Sequence, residues 1–212
     1  MGRTIAIANQ KGGVGKSTTA INLSSCLGEM GQKVLTIDMD PQGNTTSGMG
    51  VEKNEVENTI YELLLGESKL EDCIIPLNFD NLSLIPSNVN LAGAEIELIG
   101  VEDKEFILKN AIDQVRDQYD FIIIDCPPLG VVIDAAIIGR LSDGAIMVVE
   151  AGKTKYRLAQ NVKDQLENSG ATVLGVVLNK VERKNQKRYY NKYYGSYKYE
   201  GYYRTDDDEK NA

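Results

Sequence analysis

The stretch Lys11-Gly12-Gly13-Val14-Gly15-Lys16-Ser17-Thr18 constrains this chain more than any other. It follows an apolar run, Ile5-Ala6-Ile7-Ala8, and opens a helix-like segment, Ala20-Ile21-Asn22-Leu23. Strand, glycine loop and helix in that order form the setting that a phosphate-binding loop requires. Glycines let successive backbone N–H groups turn inward around phosphate oxygens, where a side chain would block the approach. A helix beginning near Ser17 adds the positive end of its dipole. Lys16 is expected to reach the β- and γ-phosphates, and Ser17 to offer its hydroxyl to Mg²⁺. The plain alternative, a glycine-rich turn and a solvated lysine, leaves both flanks unexplained.

A chain of 212 residues suits one domain with a sizeable core and some tail. No apolar run approaches the length of a membrane span, and the N-terminus has no signal-peptide pattern. Cys26, Cys73 and Cys126 are widely spaced, without metal-ligand spacing, and histidine is absent. Zinc and imidazole chemistry are therefore not expected, and a reducing cytoplasm fits. The net charge of −8 hides a division: residues 1–179 carry −11, residues 180–212 carry +3. An acidic body with a basic tail points to two different jobs.

Along the chain, Arg3 to Asn9 reads as a buried central strand, and the helix after the loop runs to about Met30, with Gly31 as its stop. Lys33 to Asp38 is a second short strand ending on a carboxylate, continued as Asp38-Met39-Asp40-Pro41-Gln42-Gly43-Asn44-Thr45-Thr46. Acids two residues apart lie on the same side of an extended chain, so Asp38 and Asp40 could both face the phosphates. Helical patterns are expected over 59–65, 92–99 and 104–116, and a short strand over 81–86. Phe121-Ile122-Ile123-Ile124-Asp125 describes a strand buried on both faces. Its terminal Asp125 is expected to hold Mg²⁺, directly or through a water. A helix over 133–141, a strand over 144–149, a helix over 154–168 and a last strand over 173–178 complete the pattern. The alternation predicts an α/β fold: a doubly wound, mostly parallel sheet with a phosphate loop over residues 1–180. Asn179, ending the last strand, is placed to read a nucleotide base, or simply caps the strand. Residues 181–212 are expected to be a flexible, disordered tail, because eight of the 11 tyrosines crowd into 189–203 without aliphatic companions.

Lys11 is not required by a plain phosphate loop. With it, Lys-Gly-Gly-Val-Gly-Lys-Ser-Thr resembles the deviant loop of the ParA/MinD superfamily, in which the early lysine crosses a subunit boundary to the partner's nucleotide. Residues 3–126 resemble the ParA-type partition ATPases in the loop, in the segment 37–46 and in Leu91-Ala92-Gly93-Ala94-Glu95. The resemblance implies that Asp40 helps orient the attacking water. Residues 125–203 are similar to bacterial tyrosine kinases of the capsule and exopolysaccharide type, through Asp125-Cys126-Pro127-Pro128, Gly175-Val176-Val177-Leu178-Asn179-Lys180 and the tyrosine cluster.

The tail sets the order of the functional expectations. The first is a Mg²⁺-ATP-dependent protein-tyrosine kinase that phosphorylates its own tail and regulates exopolysaccharide synthesis. Its catalytic groups would be Lys16, Asp38, Asp40 and Lys11, and its Mg²⁺ ligands Ser17, Asp38 and Asp125. Its acceptors would be Tyr189, Tyr190, Tyr193, Tyr194, Tyr197, Tyr199, Tyr202 and Tyr203. Asp40 or Asp38 would take the phenol proton. Gly12, Gly13, Val14, Gly15 and Thr18 would complete the ATP site. Self-association into a dimer or ring is expected, with a membrane-anchored activator that could hold the protein at the inner membrane. The second reading is a nucleotide-switched ATPase for chromosome or plasmid partition, with DNA as a partner. In a third, the basic aromatic tail binds single-stranded nucleic acid.

Overall fold

Burial on both faces explains why short runs of β-branched residues fix the framework of this chain. The structure, a computed structural model, describes residues 1–9, 11–128 and 135–182. Residues 1–180 form one compact unit. The chain runs β1 (Arg3–Ala8), α1 (Lys16–Glu29), β2 (Val34–Asp38), α2 (Asn44–Gly48), α3 (Ile60–Leu65), α4 (Leu70–Cys73), β3 (Ile75–Pro76) and β4 (Leu82–Ile85). It continues through α5 (Ala94–Glu97), α6 (Ile107–Val115), β5 (Phe121–Asp125), α7 (Ala135–Leu141), β6 (Gly144–Glu150), α8 (Tyr156–Asn168) and β7 (Val173–Asn179).

The seven strands lie in the order β3-β4-β2-β5-β1-β6-β7. All pairings are parallel except the two-residue β3, which runs antiparallel to β4 at one edge. Successive residues of a strand feed opposite faces. On β1, Ala6 and Ala8 join the core beneath α3, α6, α7 and α8, while Ile7 joins the core beneath α1. On β5, Ile122 and Ile124 face the first core and Ile123 the second. Helices thus cover both faces of a mostly parallel sheet, the doubly wound α/β architecture that the alternation of patterns predicts.

The expected helix over 92–99 is a 3-10 turn, Val89–Gly93, running into α5, and that over 104–116 divides into 3-10 turns flanking α6. α2, α4 and β3 have no counterpart in the sequence reading. The first buries two threonines rather than an apolar stripe, and the third is two residues with a proline at an edge, where a missing N–H is tolerated. On β7, Leu174, Val176 and Leu178 are exposed, in contrast to every inner strand. Among the described residues no helix is long and apolar enough to cross a membrane. The predicted tail lies almost entirely outside the described residues.

Candidate functional site

The carboxyl ends of β2, β5 and β1, neighbours in the sheet, lie together where the crossovers leave in opposite directions, from β1 toward β2 and from β5 toward β6, the position at which open α/β sheets bind ligands. A hollow of about 560 Å³ opens there, lined by Gly12, Gly13, Gly15, Lys16, Ser17, Thr18, Asp40, Gln42, Asn44, Pro128, Asn179 and Lys180. Val14 is buried and plugs the loop into the core beside Ile7 and Ala20. A Cβ on Gly12 or Gly13 would meet nothing within 4 Å, so the loop presents bare backbone to this space.

Gly15 caps α1 in a left-handed conformation, φ 101°, without any side-chain cap. The helix therefore begins with free N–H groups and no capping carboxylate, which suits an anion. Gly15 is also sterically closed: a Cβ there would lie 2.0 Å from Asn179 Nδ2. Gly15→Ala is expected to lower stability by roughly 1–3 kcal/mol through strain at a positive φ. A urea titration checks this, and Gly15→Ala with Asn179→Ala should recover part of the loss by removing the clash. An unchanged midpoint in the single variant would refute the packing described here.

Lys16 is 6% exposed, and no carboxylate among the described residues lies within ion-pair distance of its ammonium. A nearly buried cation facing a hollow without a counter-ion is costly unless an anion arrives. Asp38 and Asp125 sit side by side in register on β2 and β5, both fully buried. Asp38 is saturated: Oδ1 accepts from the Asp40 N–H (3.1 Å), and Oδ2 accepts from the Thr46 N–H and hydroxyl (both 2.8 Å). Burial, then the neighbouring Asp125, pushes its carboxyl from 3.8 up to about 7. Asp125 Oδ2 accepts from the Thr45 hydroxyl at 2.7 Å. Its Oδ1 is buried and, among the described residues, has no hydrogen-bond partner. Burial also raises the Asp125 carboxyl, opposed by the Ser17 and Thr45 hydroxyls and the Lys16 ammonium.

The structure thus brings the loop, Lys16, Ser17, Thr18, Asp40 and Asn179 to one hollow, with Asp38 and Asp125 behind it in the sheet. Asp40 is half-buried, and its Oδ1 accepts from the Gln42 N–H at 2.9 Å. Lys11 is exposed and does not line the hollow. Asn179 donates from Nδ2 to the Val14 carbonyl at 2.9 Å. The eight tail tyrosines lie outside the described residues. Sequence reasoning gave no role to Thr45, Thr46 or Lys180. The two threonines were visible as neighbours of the acidic segment, but nothing in their spacing announces which carboxylate each would bind.

The family described as "AAA domain" matches residues 2–178. "Sporulation initiation inhibitor protein Soj" of Bacillus subtilis is 48% identical over 151 residues, covering 71% of this chain and 59% of that protein. "Chromosome partitioning protein ParA" of Caulobacter vibrioides is 37% identical over 193 residues, covering 86% of this chain and 71% of that protein. The chain therefore spans about three-fifths of the length of Soj. Among solved structures, cobyrinic acid a,c-diamide synthase from Mycobacterium smegmatis with bound ATP analogue and magnesium superposes with a TM-score of 0.74. It is 30% identical, with 84% of this chain and 72% of that chain covered.

These findings overturn the tyrosine-kinase expectation and, with it, exopolysaccharide regulation. The family match runs unbroken through β5, β6 and β7, the region read as kinase-like, and the relatives are named for sporulation control and chromosome partitioning. The motifs read as kinase-like are short strand and loop ends, too few residues to tell one family from another. One match across front and back, carried by one continuous sheet, leaves no join between two families: the chain belongs to the AAA domain family, among the phosphate-loop proteins of the ParA/MinD superfamily.

Proposed function

We propose that the chain is a Mg²⁺-ATP-dependent, nucleotide-switched ATPase of the chromosome- or plasmid-partition type. The observation that carries this reading is a pair of groups around Ser17 that stand open among the described residues: a nearly buried Lys16 ammonium with no carboxylate at ion-pair distance, and a buried Asp125 Oδ1 with no hydrogen-bond donor. A triphosphate satisfies the first and a hard cation the second. The donors available, a hydroxyl and a carboxylate oxygen, suit Mg²⁺, which keeps most of its shell as water and phosphate oxygens.

In this reading the loop amides and the start of α1 bind the phosphates, and Lys16 neutralises charge at the β- and γ-positions. Ser17 and Asp125 would hold the cation, which supplies charge neutralisation at the phosphates. Asp38, whose oxygens are occupied by Asp40 and Thr46, shapes the loop that carries Asp40. Asp40, lining the hollow and fixed by Gln42, directs water for slow hydrolysis. Lys11, exposed beside the loop, is free to serve a second copy of the chain, so that ATP would close a dimer.

The test is ATP turnover by the full chain with Mg²⁺, with and without double-stranded DNA at low salt. Phosphate is expected to be released as the free ion. Asp40→Ala should bind ATP within about threefold of the unaltered chain yet lose roughly tenfold or more in hydrolysis, within the range typical of a lost proton-transfer or water-orienting group. Failure to bind ATP, or retention of the phosphoryl group on the protein, would overturn the reading.

A further inference from the structure

The end of β7 is fastened to the phosphate loop at two consecutive carbonyls. Asn179 Nδ2 donates to Val14 O at 2.9 Å, and Lys180 Nζ donates to Gly13 O at 2.8 Å. Lys180 takes a left-handed backbone, φ 55°, uncommon for a residue with a side chain, and its N–H donates to Asn179 Oδ1 at 2.8 Å. Its ammonium also lies 3.4 Å from Glu150 Oε1 at the end of β6, and Glu150 is in turn paired with Lys153 at 2.8 Å. The lysine is therefore held from behind by a carboxylate while it grips the loop in front.

Across a planar trans peptide, the C=O and the following N–H point in opposite directions. Fixing the Gly13 carbonyl toward Lys180 turns the Val14 N–H away from β7. Fixing the Val14 carbonyl toward Asn179 does the same for the Gly15 N–H. Gly13 and Gly15 have φ of 74° and 101°, left-handed values of the kind found in loops whose successive N–H groups converge on an anion. From this geometry we infer that Lys180, together with Asn179 and braced by Glu150, is a positioning residue that aims the Val14 and Gly15 amides at the nucleotide's phosphates. The inference rests on the nucleotide site proposed above, but it concerns how the loop's amides are oriented and is testable without ligand.

Two readouts check it on the full chain. In the nucleotide-free protein, Lys180→Met is expected to shift the amide resonance of Val14, and Asn179→Ala that of Gly15, while Lys153→Met moves neither. In calorimetry, Lys180→Met should weaken Mg²⁺-ADP and Mg²⁺-ATP alike by roughly tenfold, the scale of one lost charge-assisted hydrogen bond. Lys180→Arg should stay within about threefold. Glu150→Gln should weaken both nucleotides in the same direction, because a direct attraction between Lys180 and phosphate would instead strengthen when Glu150 is neutralised. Should Lys180→Met not fold, Glu150→Gln and Lys180→Arg carry the same comparison. Unmoved Val14 and Gly15 amides, a loss confined to ATP, or tighter binding in Glu150→Gln would each overturn the inference. If the unaltered chain binds no nucleotide, the proposed function fails, and the amide shifts still decide this point.

Discussion

Lys16→Ala is expected to lower affinity for Mg²⁺-ATP by at least about a hundredfold while leaving the nucleotide-free protein as stable as before, or more so. The two effects have one cause. Lys16 is almost buried at the first position of α1, lines the hollow and has no carboxylate within ion-pair distance among the described residues. Its desolvation is therefore offset only at a distance, by the charge of Asp125 rather than by an ion pair, and removing Lys16 relieves what is left of that penalty. Two charge-assisted hydrogen bonds to phosphate, at roughly 1.5–3 kcal/mol each, correspond to a loss on the order of a hundredfold or more in binding. Calorimetry and a urea titration on the same preparations separate the terms. A variant that loses stability together with affinity would show that Lys16 is a structural residue and that the hollow is not built around its charge.

The second large effect is a stability that falls as the solution becomes more alkaline. The Asp38 carboxyl titrates near 3.8 in an unfolded chain and at about 7 in the folded one. The folded state thus holds a proton that the unfolded state has released throughout the interval between those values. Stability from this group is fully present below about pH 4 and is lost as pH rises through about 7. The interval corresponds to up to roughly 4 kcal/mol. Without magnesium, the unfolding free energy is expected to drop between pH 5 and pH 8 by roughly 2.5–3 kcal/mol, the part of that interval lying above pH 5, relative to Asp38→Asn, which cannot ionise. Saturating Mg²⁺-ATP should reduce the drop, since a cation beside Asp125 favours the ionised form of the pair. Parallel pH profiles for the unaltered chain and Asp38→Asn would show that the two carboxylates do not interact as their burial requires.

Much of this arrangement was legible because a parallel sheet writes itself as continuous apolar runs. Ile122-Ile123-Ile124 and Val34-Leu35 announce their strands, and the acids that end them, Asp125 and Asp38, mark the carboxyl edge where ligands collect. The glycine loop declared its chemistry through spacing alone. What stayed hidden depends on contacts between distant residues. Thr45 meets Asp125 and Thr46 meets Asp38, and α2, which carries both, has no apolar period to betray it. Lys180 looked like the residue where the fold stops, although it holds the glycine loop. The tyrosine cluster misled for a related reason. It is a feature of composition, and with the short motifs at 125–128 and 175–180 it suggested a kinase, a reading that the relatives named for sporulation control and chromosome partitioning overturn.

The position of β1 has a consequence for how the chain acquires its nucleotide grip. The first strand is flanked on both sides by late ones: Arg3 pairs with Phe121, and Ile5 with Gly144. Contacts of such high sequence separation form slowly, because long loops must close before any of them is rewarded. During synthesis the glycine motif leaves the ribosome early, yet its platform cannot exist until β5 and β6 have followed. Retention of nucleotide would therefore report the end of folding, and a chain cut short before β6 would carry the motif without the means to use it.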